Sequence, residues 1–255
     1  MDKEYLGRLL KEYLHNFDSV NLPDGNPSEW YKWDAVSCFK ENWDSDAEKF
    51  ESMFEKATGR TGSLLSFSWD NKKPFKNITV GKFYLKGIMF LLNEERGETE
   101  FVRQCFKDLY ADDGGDLKKR ELKLAAFSSS INEKLKQYKK DLNWEWMQDN
   151  YSAMCFLNLL QPEDNYFYKD TSCKTWEWLF KCDSGIENGG NFSLERYYAM
   201  CDELRSALND FPDVLQKNKA RVDKYAKGFD DDNRILTYDI IHCVNGYELY
   251  KKVKV

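Results

Sequence analysis

The 255-residue chain predicts an all-α protein: a mostly α-helical, single compact unit of about ten helices. Three observations lead there. Apolar residues recur at three- and four-residue spacing along most of the chain. Stretches rich in Gly, Pro, Asn and Asp separate these periodic segments, several with a capping residue in place. Hydrophobic residues make up 42% and charged residues 32%, a balance suited to a soluble, helix-rich chain with a real core. Residues 1–255 read as one domain; the alternative is a subdivision into a tryptophan-hairpin half (1–115) and a long-helix half (116–255).

Residues 3–17 give the first helix, with Tyr5, Leu6, Leu9, Leu10, Tyr13, Leu14 and Phe17 on a wide apolar stripe. Asn21 to Pro27 is a turn-rich connector. From Glu29 to Ser66 two amphipathic helices follow, holding three of the eight tryptophans, Trp30, Trp33 and Trp43. Trp33, Val36, Phe39 and Trp43 keep helical spacing, and Asn42-Trp43-Asp44-Ser45 breaks it. Ser45 then has the place of an N-cap, with Glu48 completing a capping box. Ala47, Phe50, Met53, Phe54 and Ala57 form the next stripe, and Gly59 sits where a C-terminal cap belongs. The loop Ser66 to Thr79 has no helical period and interleaves Trp69 and Phe75 with Lys72, Lys73 and Lys76.

Val80 to Leu92 is strongly apolar and reads as a buried helix, with a strand pair as the alternative. Glu98 to Leu109 is a clearer helix. Asp112 to Asp116 is a turn without the ligand spacing of a calcium loop, and Asp116 caps the helix that follows. Along Leu117 to Leu142, Leu117, Leu124, Ile131 and Tyr138 recur every seven residues; a long helix packed across a bundle accounts for this better than a coiled-coil seam. Residues 147–160 give another apolar helix ended by Pro162. The aromatic run Tyr166-Phe167-Tyr168-Lys169 comes next, then Lys174 to Lys181 with Trp176 and Trp178. Asn188 to Asn191 is a break, Ser193 caps a helix to about Leu208, and Phe211-Pro212 opens another. Ile235 to Val244 reads as a last core helix, followed by a Lys-rich tail.

The hairpin also carries a family resemblance. Tyr31-Lys32-Trp33-Asp34-Ala35-Val36, Phe39, Glu41-Asn42-Trp43-Asp44, Asp46-Ala47 and Phe50 resemble the N-terminal region of McrB-like AAA+ proteins, the methylcytosine-dependent restriction type. Thr61 to Leu65, Tyr166 to Lys169 and Leu236-Thr237-Tyr238-Asp239 fit the same pattern. The chain has no GxxxxGK[ST] phosphate loop, so the resemblance implies the N-terminal region without the motor. It further implies a part in anti-phage restriction, with an AAA+ motor domain or nuclease subunit, in the same or another chain, as partner.

Catalytic signatures are missing. There is no HExxH, no G-x-S-x-G and no Rossmann glycine pattern, and His15 and His242 read as structural. The seven cysteines are scattered with no C-x-x-C spacing, so no metal site and no cofactor are expected, and a cytosolic, reduced setting is. No apolar run reaches the roughly 18 residues of a membrane span.

The expectation is therefore a non-enzymatic recognition domain binding DNA, plain or modified. In this reading Trp33, Trp43 or Trp69 stacks, Arg60, Lys72, Lys73 and Lys76 hold phosphate, and Asn42 or Asp44 reads a base edge. Simple burial competes with stacking for Trp33 and Trp43. The net charge of −6 favours the rival, a protein-interaction module docking a phage protein or partner subunit. A third reading, a small-molecule or nucleotide sensor, requires a sizeable cavity near Trp33 or Trp69.

Overall fold

The computed structural model describes residues 1–17, 29–65, 83–143, 146–186, 192–225 and 232–253. Among them are twelve α-helices and no sheet, the nearest to one being an isolated antiparallel bridge between Ile186 and Phe192. In chain order they are α1 (Lys3–Asn16), α2 (Tyr31–Asn42), α3 (Phe50–Ala57), α4 (Gly62–Leu65), α5 (Phe83–Leu92), α6 (Thr99–Tyr110), α7 (Leu117–Tyr138), α8 (Asn150–Leu160), α9 (Asp170–Phe180), α10 (Leu194–Ala207), α11 (Pro212–Tyr225) and α12 (Arg234–Gly246). The all-α expectation holds. None of the described helices is long and apolar enough to cross a membrane. The connector at 21–27, the loop at 66–79 and the break at 188–191 lie outside the described residues.

The helices group into two compact units. Unit 1 is Met1–Trp33 with Pro162–Val255, and unit 2 is Asp34–Gln161. The grouping does not follow a cut at 115/116, because α6 and α7 pack on each other within unit 2.

In unit 1, α12 is the hub, packed by α1, α9 and α10. Its residues from Ile235 to Ile241 are all buried, including Thr237 and Asp239. Asp2 N-caps α1 through the amides of Glu4 and Tyr5, and Ser193 caps α10 as its sequence position requires. The run Tyr166-Phe167-Tyr168 is a buried, non-helical strip ahead of α9.

In unit 2, α7 lies against α5, α6 and α8. Asp116 caps it, accepting from the amides of Lys118 and Lys119, and Asp149 and Ser152 form a capping box at α8. Of the seven-residue repeat of α7, Leu124 and Ile131 are buried inside the unit together with Leu135, while Leu117 is half-buried and Tyr138 exposed. The apolar stretch after residue 82 is helical, as α5.

The entry to α3 differs from the sequence expectation. Ser45 is not its cap; the helix starts at Phe50 behind Lys49, with no side-chain cap. Residues 44–49 instead form an irregular turn in which the Arg103 guanidinium of α6 donates to the carbonyls of Ser45 (2.6 Å) and Ala47 (3.0 Å). A cation that takes up two carbonyls satisfies them outside a helix, so the backbone gains nothing by starting one there. Gly59 does follow the α3 cap residue Thr58, but without a left-handed backbone.

Candidate functional site

Of the nine residues predicted to contact DNA, five lie among the described residues, and they are divided between the two units. Trp69, Lys72, Lys73 and Lys76 lie outside the described residues. Trp33 belongs to unit 1, while Asn42, Trp43, Asp44 and Arg60 belong to unit 2.

In unit 2, Trp43 is half-buried and its indole is occupied by rings. Phe39 stacks on it at 5.0 Å between centroids, and Phe50, Phe106 and Tyr110 meet it at 5.8, 5.1 and 5.3 Å. Its neighbours serve the backbone. Asn42 donates to the Cys38 carbonyl one turn back (2.7 Å), and Asp44 accepts from the Asp46 amide (2.9 Å) in the turn. Arg60 reaches both carboxylate oxygens of Asp34 at 2.9 Å. So the corner holds itself together: the ring contacts that bury Trp43 compete with stacking on a base, and the Arg60 charge has a carboxylate beside it.

In unit 1, Trp33 is fully buried, and it leads to a group of charged residues that the sequence reading passed over. Lys32, immediately before it, is also fully buried and donates to Asp239 Oδ1 at 2.7 Å and to Glu29. Arg221 of α11 donates to the other oxygen of Asp239 at 2.8 Å. The Tyr13 hydroxyl of α1 donates to that same Oδ2 at 2.5 Å, and the Cys243 thiol lies 3.7 Å from Oδ1. Tyr247 donates to Glu29. Trp33 takes part indirectly: the Arg221 guanidinium lies over its ring at 4.4 Å and over the Phe17 ring at 3.7 Å. Adjacent residues of one helix turn thus hold Asp239 by two routes, Lys32 directly and Trp33 by shelving the arginine.

The charges of this cluster cancel: Glu29 and Asp239 against Lys32 and Arg221. Burial, the largest influence on Asp239, pushes its carboxyl up, but Lys32 and Arg221 outweigh it and hold the group ionised, well below the usual carboxylate range. Burial pushes Tyr13 and Cys243 well above their ordinary values, so both stay protonated donors. Half-buried His242 stacks on Tyr238 with 5.8 Å between centroids, and its Nδ1 lies 3.5 Å from the Ser172 hydroxyl. Burial first, then Lys32 and Lys169, hold it well below its usual value and therefore neutral.

The donor atoms of Glu29, Asp239 and Cys243 lie within 4.8 Å of one another, close enough to share a metal ion. Their chemistry argues for a different occupant. The Lys32 ammonium already bridges the two carboxylates, and the thiol is held protonated, whereas a metal requires the thiolate. The adjoining cavity, bordered by Tyr13, Phe17, Arg221 and Tyr247, measures about 10 Å³, room for no more than about one water. No small molecule fits there. Unit 1 does have an open groove of about 510 Å³ between α1 and the start of α11, whose floor includes Leu10, Phe211 and Val214; its rim carries both signs of charge, with Lys3 and Asp210 paired at 2.7 Å.

The sequence did hold a signal for the cluster. Lys32 stands between aromatic residues, and Asp239 interrupts an otherwise apolar run; a charge on a buried face demands a partner. Three stretches distant in sequence also converge here, since Lys32 meets Asp239 and Phe167 packs on Tyr238 at 5.6 Å. No protein-family model, curated protein or solved structure matches the chain.

Proposed function

We propose that the chain is a non-catalytic recognition module of a bacterial anti-phage restriction system, binding DNA for a McrB-like AAA+ complex. The observation that carries the non-catalytic part is the state of the buried charges. Glu29, Lys32, Arg120, Arg221 and Asp239 each have an opposite charge within hydrogen-bond distance, and the cavity beside the largest group of them has no room for a substrate. Paired charges of this kind hold helices in register; they do not leave an acid, base or nucleophile facing a ligand. Binding chemistry then belongs to the surface. The lysine- and aromatic-rich segment 66–79 supplies it in the sequence, and the resemblance of Tyr31 to Phe50 to the N-terminal region of McrB-like proteins supports the biological setting.

The test is binding of the full chain to short labelled DNA, single- and double-stranded, plain and cytosine-modified, across a salt series. Affinity that falls steeply with salt and drops in Trp69→Ala or Lys72→Glu/Lys73→Glu supports the reading. Absence of binding at low salt sinks it. The second reading, a protein-docking module, is favoured by the engagement of Arg60 with Asp34 and by the net charge of −6. It gains if those variants bind DNA no differently from the parent chain.

A further inference from the structure

We propose that Lys169 of unit 1 is a reactive amine that takes small aldehydes as a Schiff base. It is the N-cap residue of α9, and its neighbours in the chain fix where it lies. Phe167, two residues before it, packs on Tyr238 with 5.6 Å between centroids, and the Ser172 hydroxyl, one turn after it, lies 3.5 Å from His242. Lys169 is thereby held at the seam of α9 and α12. There the Tyr238 and His242 rings stack, and the Lys32 ammonium lies 5.9 Å from the Tyr238 ring.

Two cations meet at this seam and only one is neutralised. Lys32 has Asp239 at 2.7 Å and Glu29 beside it. Lys169 is half-buried, and among the described residues its ammonium has neither a hydrogen-bond acceptor nor a carboxylate partner. Asp170, next to it in the chain, pairs with Lys174 at 3.2 Å. The Lys169 nitrogen is not enclosed either, so water and small solutes reach it.

An ammonium in this position is disfavoured on two counts. Burial strips part of its hydration and the Lys32 charge repels it; in that order they hold the amine below the ordinary lysine value. The neutral form is the nucleophile, and a desolvated lysine beside a second cation is the arrangement that activates an amine toward carbonyl compounds. The step balances without a further reagent. The amine lone pair attacks the carbonyl carbon, a proton passes from nitrogen to oxygen, and the carbinolamine loses water to leave a C=N bond. A neutral imine then stands in place of the ammonium, which relieves both the repulsion from Lys32 and the cost of burying a charge. His242 is held neutral here and adds no charge of its own. None of this rests on the DNA-binding reading above.

The experiment is competitive labelling of the full, folded chain with a limiting amount of propionaldehyde near neutral pH. Cyanoborohydride traps each imine as a secondary amine, and peptide mass spectrometry reads the lysines one by one. We expect Lys169 to be modified severalfold faster than the exposed Lys118 and Lys136, and its rate to level off at a lower pH than theirs. Unfolding in urea should abolish the advantage. Lys169→Gln, which breaks no ion pair, should keep its helices by circular dichroism and lose the fast phase alone. Labelling of Lys169 no faster than of Lys118 and Lys136 in the folded chain overturns the assignment. An advantage that persists in urea overturns it too, because local sequence and not the fold would then be its source.

Discussion

The two units are assembled from the same kind of helix, and each buries both rings and an ion pair, yet the groups at the centre of each interior differ. Unit 2 buries rings: Phe106 has Trp43, Phe54, Tyr110, Phe127 and Phe156 around it, all within 6 Å between centroids. Unit 1 buries ions, with Asp239 fully enclosed among Lys32, Arg221 and Tyr13. A ring cluster is non-directional and yields gradually when one member shrinks. An ion cluster is directional, and losing one member strands its partners. The difference teaches where each unit is fragile.

The largest effect expected is therefore in unit 1. Asp239→Ala leaves Lys32 and Arg221 buried without their counter-charge and should destabilise the unit by about 3–5 kcal/mol, read by urea denaturation. The double change Lys32→Met/Asp239→Leu should cost much less than the sum of its single changes, because it removes charge and counter-charge together. Additive losses would show that the cluster does not act as a whole. In unit 2, Phe106→Leu should cost about 1–2 kcal/mol, since most of the apolar volume remains. A loss as large as that of Asp239→Ala would erase the contrast.

Acid separates the units next. Folded His242 is held well below its usual value, so below about pH 6.5 the unfolded chain takes up a proton that the folded one refuses, and stability falls as pH drops. Asp239, also depressed, adds a second loss as pH falls below about 4, where unfolded carboxylates protonate. Both histidines of the chain lie in unit 1, so hydrogen exchange corrected for intrinsic rates should show unit 1 loosening between about pH 6.5 and 4.5 while unit 2 keeps its protection. Equal loosening of both would contradict the assignment. The smallest effect is expected at Arg60→Ala, where the exposed pair with Asp34 contributes no more than about 0.5 kcal/mol to the melting free energy.

Legibility followed the range of the interactions. The caps at Asp116 and Ser193 and the helical faces of α1, α6 and α12 were readable because each depends on residues within one or two turns. The Ser45 cap was misread for the complementary reason: Arg103, 58 residues away, takes the Ser45 carbonyl and fixes a turn that local pattern does not foresee. The tryptophans show the same limit. Spacing put Trp33 and Trp43 on apolar stripes, but it did not show that one shelves an arginine while the other joins a ring cluster, nor that Trp178 faces water while Trp176 does not.

By itself, then, the sequence determined that the chain is helical, where most helices begin and end, and which catalytic signatures it lacks, because periodicity, capping and motif spacing are local properties. Only the tertiary structure decided that Lys32 and Asp239, 207 residues apart, neutralise each other in the core, and that the exposed indole sits on α9. Partners so distant in sequence leave no periodic trace; a buried charge announces that a partner exists, and the fold alone says which one.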